Sequence, residues 1–262
     1  MARDEGHGRV ALVTGGASGI GLGTATVLAE RGWRVVIGDL DRARCAEAAG
    51  PIGADVAPFD VSDEGATKAA IDDIEGRVGP IEALVANAGL IQRPLAPEEF
   101  PMAEWDRIIA VNLRGVYLSC VEAGRRMALR GAGGIVVTGS VTAYRTAPLH
   151  AYVPTKAAVV HMASCLAAEW GRSGVRVNSV SPGYTRTPAL LGAIQRGQRD
   201  AALLSEAAAL GRMVEPEEIG RAVAFLLSDD AAAITGIDLP VDAGWLCAAH
   251  LTTYGGVRAA RA

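Results

Sequence analysis

Cysteine is scarce and scattered. Cys45, Cys120, Cys165 and Cys247 stand far apart and form no C-x-x-C pair, which argues against a disulfide-stapled scaffold and for free thiols in a reducing cytosol. The four histidines, at positions 7, 150, 161 and 250, have no metal-ligand spacing, so no metal site is expected. Excess basic charge is also missing. The 25 Lys and Arg against 29 Asp and Glu leave a net charge of −4, so there is no field to attract nucleic acid. No apolar run reaches membrane-spanning length, and the polar stretch 1–8 lacks the apolar core of a signal peptide. The expectation is a cytoplasmic protein with neither a membrane nor a nucleic-acid partner. Lysine is almost absent: Lys68 and Lys156 are the only two.

What is present is a globular composition, 50% apolar and 21% charged. Strand and helix patterns alternate along it. That alternation predicts an α/β fold, doubly wound, with a parallel sheet and helices on both faces. No repeat, linker or compositional boundary divides the chain, so residues 1–262 are expected to form one domain. Its organising stretch is Val10 to Gly21. An apolar run that reads as a buried strand leads into glycines at 15, 19 and 21, and helical spacing follows in Leu22, Ala25, Leu28 and Ala29. Glycines allow a tight turn and the close approach of a pyrophosphate, and the helix N-terminus offers N–H groups and a positive dipole end. Gly15, Ser18, Gly19, Ile20 and Gly21 are therefore candidate phosphate-binding residues. The second strand, Arg34 to Gly38, is closed by Asp39, an acidic residue about 20 positions after the glycine turn, where a carboxylate binds the ribose hydroxyls of NAD. No Arg or Lys stands at Gly16, Ala17 or Leu40 to receive the extra phosphate of NADP.

Further along, a helix is expected over 42–49 and a strand near 54–59. Asp60 and Val61 end that strand, where adenine would lie. Ser62 and Asp63 are candidate caps for a helix to about Val78. Ile81 to Ala86 reads as the fourth strand. It ends in Asn87-Ala88-Gly89: the Asn can tie strand ends together, and Gly89 lets backbone pass close to a ligand. One long helix is expected over 102–130, with Asn112 inside it among apolar neighbours, a costly placement unless the amide is bonded. Gly134 to Thr138 is the fifth strand, with Ser140 just past its carboxyl end, where ligands bind in doubly wound sheets. A helix starts near Tyr152. Pro154 fits only its first turn, and Tyr152 and Lys156 share one face. A lysine kept where arginine is otherwise used points to a need for a compact ammonium. Strands over 174–181 and 236–241 flank a segment, 189–212, whose interrupted Ala/Leu pattern suggests a mobile lid.

These residues together resemble a short-chain dehydrogenase/reductase of the compact single-domain kind, over about Arg9 to Gly244. The motifs are Thr14-Gly15-x3-Gly19-x-Gly21, Asn87-Ala88-Gly89, Asn112, Ser140, Tyr152-x3-Lys156 and Pro182-Gly183. The resemblance implies a seven-stranded parallel sheet and hydride transfer between a nicotinamide and an alcohol or carbonyl carbon. It makes Tyr152 the general acid/base, its phenol helped by Lys156, which also bonds the nicotinamide ribose. It gives Ser140 the substrate oxygen, Asn112 a relay water, and Thr185 and Thr187 the cofactor carboxamide, with Pro182 and Gly183 beside them. It implies a homotetramer built in part from the helices 102–130 and 152–170. The chain departs from the family pattern at Ala86, Pro154, Thr155 and Ala243, and in a longer tail. Ser140 also stands one residue closer to Tyr152 than expected, which leaves Gly139 as a competing alignment and Thr138 as a weaker one.

The expected function is NAD-dependent oxidation of a secondary alcohol by an enzyme with a small-molecule substrate. A catalytically silent NAD-binding redox sensor and a ketone reductase remain as alternatives, the first disfavoured because both Tyr152 and Lys156 are present. Thr142, Tyr144, His150 and Tyr184, with Gln92 and Leu190, are candidate pocket residues, a mix suited to a sugar, polyol, diol or cyclic alcohol. The tail 245–262 carries Trp245, Leu246, Leu251 and Tyr254 and is expected to dock across a subunit interface.

Overall fold

The computed structural model describes residues 6–257. Seven strands form one sheet: β1 (Val10–Thr14), β2 (Arg34–Asp39), β3 (Asp55–Pro58), β4 (Ile81–Ala86), β5 (Gly133–Thr138), β6 (Val175–Pro182) and β7 (Asp238–Val241). Their order is β3-β2-β1-β4-β5-β6-β7, every pairing is parallel, and the order reverses between β1 and β4. That switch opens the crevice in which ligands of such sheets bind, beyond the strands' carboxyl ends.

Helices cover both faces. On one lie α3 (Glu64–Arg77), α5 (Val116–Arg130) and α6 (Tyr152–Trp170); on the other α1 (Gly19–Glu30), α2 (Arg42–Ala49) and α9 (Pro216–Leu227). The central strands are apolar on both sides because both faces are covered. Leu12, Leu84 and Ile135 are buried with the first layer, and Ala11, Val13, Val85 and Val136 with the second. Glycines let α1 and α9 approach closely: a Cβ on Gly23 would come within 2.5 Å of Pro216, and one on Gly220 within 2.9 Å of the Gly23 carbonyl.

The expected caps divide. Asp63 caps α3 by accepting from the Ala66 N–H, whereas Ser62 donates to Asp60 and takes no part. The long helix over 102–130 differs from expectation. It runs as α4 (Met102–Ile109), a π-helical segment Ala110–Gly115 and then α5, so the ladder is widened around Asn112. Such segments cluster at functional sites. The segment 189–212 forms two short helices, α7 (Pro188–Gln195) and α8 (Ala201–Glu206), neither with a fully buried residue.

The tail's first turn is tied to the residues just before it. The helix α10 (Trp245–Ala248) is seated on its own chain: Asp242 accepts from the N–H groups of Gly244 and Leu246, and the Leu210 N–H donates to the Ala243 carbonyl. The Tyr254 side chain and residues 258–262 lie outside the described residues, so what was expected of them has no structural counterpart. Among the described residues no helix is long and apolar enough to cross a membrane.

Candidate active site

The glycine turn is built to admit a ligand's phosphates. Gly15 and Gly19 have φ of 64° and 53°, which side chains resist. A Cβ on Gly15 would stand 2.8 Å from the Ala88 Cα, and one on Gly21 2.0 Å from the Gly15 carbonyl oxygen. The helix that follows has an open end. Ser18 at its N-cap makes no side-chain capping bond and no acidic residue stands in its first turn, whereas α2, α3 and α8 are each capped by an Asp. Its first N–H groups are thus left for an anion. Asp39 stands beside the turn, one carboxylate oxygen accepting from the Ala17 N–H at 3.3 Å and the other from the Leu40 N–H at 2.8 Å.

A single hydrogen-bond chain runs from this turn to Lys156. The Thr14 hydroxyl accepts from the N–H groups of Asn87 and Ala88. The Asn87 amide donates to the carbonyls of Thr14 and Gly15, and its oxygen accepts from the Thr138 hydroxyl. The Thr138 carbonyl accepts from Lys156 Nζ at 2.8 Å. The ends of β1, β4 and β5 and the helix α6 are laced together at one level, as expected of Asn87.

Lys156 is only 4% exposed, and burial pulls its pKa from 10.5 down to about 8. Its Nζ lies 5.7 Å from the centre of the Tyr152 ring. Burial raises the Tyr152 phenol, and the Ser140 hydroxyl beside it acts in the opposite sense. The Ser140 oxygen accepts from the Thr142 N–H at 3.2 Å and the Thr142 hydroxyl at 3.0 Å. Its lone pairs are therefore occupied and its own proton is left to donate. Of the competing alignments, Gly139 is explained by packing, since a Cβ there would stand 2.7 Å from Val160 and 2.8 Å from Ser181.

Asn112 is tied to the loop after β4. Its amide donates to the Leu90 carbonyl at 2.9 Å and its oxygen accepts from the Leu90 N–H at 2.7 Å, so the side chain clamps the loop after β4. A relay water at this residue is left with the spare lone pair and proton only. A Cβ on Gly89 would stand 3.5 Å from Asn112 Oδ1 and 3.7 Å from Lys156 Nζ, which places that loop against the site.

The remaining candidates divide. Asp60 accepts from the Ser62 N–H and hydroxyl, which hold its carboxyl below the usual range, and Val61 packs on Gly115. Gly183 is pressed against Asp242. The Thr185 hydroxyl donates to the Gly183 carbonyl, and the Thr187 hydroxyl caps α7 while its methyl lies by Gly19. This brings the segment after Pro182 onto the glycine turn. Tyr184 packs edge-on against Trp245, ring centres 5.7 Å apart. Tyr144 has a partner at the start of β7. Its hydroxyl donates to Asp238 at 2.7 Å, and Asp238 pairs with Ser179, three residues before the end of β6. Sequence reasoning assigned Gln92 only a general place in the pocket. The structure gives it a defined one: its carboxamide oxygen accepts from the N–H groups of Ala151 and Tyr152 at 2.7 and 3.2 Å. No local signal could have shown a contact across so much chain.

The chain is similar to known proteins over nearly its whole length. A family model described as enoyl-(acyl carrier protein) reductase matches residues 15–246. A cis-4-hydroxycyclohexanecarboxylate dehydrogenase of Sinomonas cyclohexanicum is 41% identical over 90% of this chain and 96% of its own length. A D-threitol dehydrogenase of Mycolicibacterium smegmatis is 40% identical over 91% and 93%. Among solved structures, one described as ribose-5-phosphate isomerase from Brucella melitensis is 43% identical, covers 98% of this chain and 99% of its own, and superposes with a TM-score of 0.94.

Proposed function

The chain belongs to the short-chain dehydrogenase/reductase family, and from that premise we propose that it is an NAD-dependent dehydrogenase of a secondary alcohol, of the polyol or cyclic-alcohol class. The observation that carries this is the Ser140–Tyr152–Lys156 cluster at the carboxyl end of β5, joined by hydrogen bonds to the glycine turn. The names of the two dehydrogenase relatives support the substrate class. An isomerase function, by analogy with the Brucella neighbour's description, leaves the open glycine turn and Asp39 without work.

The residues present fit the cofactor. Gly15, Gly19 and Gly21 leave the space a Cβ would fill, and the uncapped start of α1 supplies donors for a pyrophosphate. Asp39 would take the adenosine ribose, Asp60 and Val61 the adenine, and Asn87, Ala88 and Gly89 the chain between. Lys156 and Tyr152 would reach the second ribose, and Pro182, Gly183, Thr185 and Thr187 the carboxamide. When bound, NAD supplies the electrophilic ring that accepts hydrogen with its electron pair from the alcohol carbon. The chain's own residues handle the proton. Ser140 donates to the substrate oxygen. Tyr152 removes the hydroxyl proton as the carbonyl forms, and returns it in the reverse direction. The Lys156 ammonium lowers the cost of the phenolate that this requires. Asn112 fixes the loop that closes the site, and its spare polar atoms are where a relay water would sit.

Assembly follows the same reasoning. We infer a homotetramer, supported by Met102, Tyr117 and Leu129, large apolar side chains exposed along α4 and α5. The four cysteines stand unpaired, which supports a cytoplasmic setting. The functional test is a panel of secondary alcohols and ketones with NAD and NADP, followed by absorbance of the reduced cofactor. Turnover of polyols or hydroxylated rings with NAD is expected. No turnover of any member would overturn the proposal.

A further inference from the structure

Ser140 and Tyr152 are joined by a short connection that has little structure of its own. It begins with a single 3₁₀ turn, Val141–Ala143, capped by Ser140. The Ala143 N–H donates to the Ser140 carbonyl and the Tyr144 N–H to the Val141 carbonyl, at 2.9 and 3.0 Å. Tyr144 thus closes the turn that Ser140 opens. Beyond it the connection belongs to no helix or strand until α6 starts at Tyr152, and Tyr144, Arg145, Thr146 and Pro148 are exposed. One turn of 3₁₀ helix is a weak element, and exposed backbone with few buried contacts opens easily. The aim of the Ser140 proton is nevertheless set inside this turn, because the Ser140 oxygen accepts from the Thr142 N–H and hydroxyl.

Side chains on distant elements hold the connection at both ends. At the far end Gln92 accepts from the N–H groups of Ala151 and Tyr152. At the near end the Tyr144 hydroxyl donates to Asp238 Oδ2 at 2.7 Å. Between them Arg145 reaches the Leu246 carbonyl only at 3.5 Å. Asp238 is itself fixed. It lies opposite Ser179 in the sheet, and its other oxygen accepts from the Ser179 hydroxyl. The phenol is therefore tied to paired backbone of β6 and β7 and not to another loop. Hydrogen bonds to a charged acceptor are stronger than neutral ones. Partial burial and the carboxylate push the Tyr144 phenol up to about 12, so it remains a donor through neutral and moderately alkaline pH.

We propose that Tyr144 is a positioning residue for the reaction: its bond to Asp238 braces the closing end of the 3₁₀ turn on the sheet and so keeps Ser140 aimed at the substrate oxygen beside Tyr152. This rests on the dehydrogenase function proposed above and adds to it a residue that acts through Ser140 and touches no reacting atom. An ordinary surface bond would add stability and leave catalysis alone. Here the bonded residue ends the turn whose first residue donates to the substrate. A misplacement of about 1 Å at such a group costs up to about a hundredfold in rate.

The test uses NAD and whichever alcohol of the panel is turned over fastest. The variants are Tyr144→Phe, Asp238→Ala and their double variant, with Tyr144→Phe placed also in a Ser140→Ala background. Phenylalanine keeps the ring and removes only the hydroxyl. Its kcat is expected to fall about tenfold, the order of one hydrogen bond to a charged group, with the KM for NAD unchanged. Because Tyr144 acts through Ser140, the same change should cost nothing further once Ser140 is replaced by alanine. A merely structural role, or direct contact with substrate, would cost as much there as in the wild type. Asp238→Ala should match Tyr144→Phe, and the double variant should be no worse than either, the mark of two groups acting as one. If Ser140→Ala leaves no measurable rate, the double-variant comparison decides. A wild-type kcat in Tyr144→Phe, an equal loss in the Ser140→Ala background, or losses that multiply in the double variant would overturn the brace and leave the dehydrogenase function standing. A wild type inactive on every alcohol would overturn both.

Discussion

Replacing Lys156 by methionine should make the protein more stable at neutral pH and inactive at once. The lysine is 4% exposed, and burial alone brings its pKa from 10.5 to about 8. At about 1.36 kcal/mol per pH unit, keeping this ammonium charged costs the fold about 3 kcal/mol. The neighbouring phenol does not offset it, because burial raises Tyr152 and leaves it neutral. Methionine fills a similar volume without charge. It forfeits the 2.8 Å bond to the Thr138 carbonyl, worth about 1 kcal/mol, for a net gain of about 2 kcal/mol. The pH dependence follows from the direction of the shift. Below pH 8 the lysine is charged in both folded and unfolded chains and the full cost is present. Between 8 and 10.5 the folded chain releases the proton first, so wild-type stability rises with pH relative to the variant. Above 10.5 the cost has gone and the bond to Thr138 favours the wild type. Urea unfolding of both proteins at pH 7 and pH 10, compared as a difference, measures this. A wild type more stable than Lys156→Met at pH 7, or a difference that does not change with pH, would refute the reasoning.

Cofactor choice turns on Asp39. A 2′-phosphate brought to within about 4 Å of an unpaired carboxylate loses about 2 kcal/mol or more, so kcat/KM with NAD should exceed that with NADP by roughly thirtyfold. The pair Asp39→Ala with Leu40→Arg should move preference toward NADP; equal values for the two cofactors in the wild type would contradict this. Truncation after Gly244 removes Trp245 from Tyr184 and should raise KM or weaken the oligomer while leaving NAD affinity little changed. Light scattering and steady-state kinetics unchanged by the truncation would show that the tail does neither.

Much of the fold was legible because each element is encoded locally. Val10 to Thr14 reads as a buried strand from its unbroken apolar run, the glycines mark the turn, and Asp39 and Asn87 stand at strand ends where the pattern stops. Both apolar layers follow from a parallel sheet covered on two faces. What escaped the sequence is what depends on distant partners or on small changes of helical geometry. The π segment around Asn112 alters which residues share a face, yet its composition is that of an ordinary helix. The hydroxyl of Tyr144 is taken by Asp238, 94 residues on. Gln92 caps a helix whose first residue lies 60 positions away. The tail's apolar weight was visible, but its seat on Asp242 and Tyr184 was not.

The most direct test of the central claim is Tyr152→Phe, assayed beside the wild type for oxidation of D-threitol with NAD and for NADH binding by fluorescence titration. The ring still packs near Lys156, so NADH affinity should stay close to that of the wild type. Turnover should be lost, because no other residue in the cluster offers a proton acceptor at the substrate oxygen: Ser140 has its lone pairs filled by Thr142, and Lys156 is held by the Thr138 carbonyl. Loss of turnover with binding retained is the expected result. Turnover near the wild-type rate in Tyr152→Phe would contradict it and place the acid/base on another group.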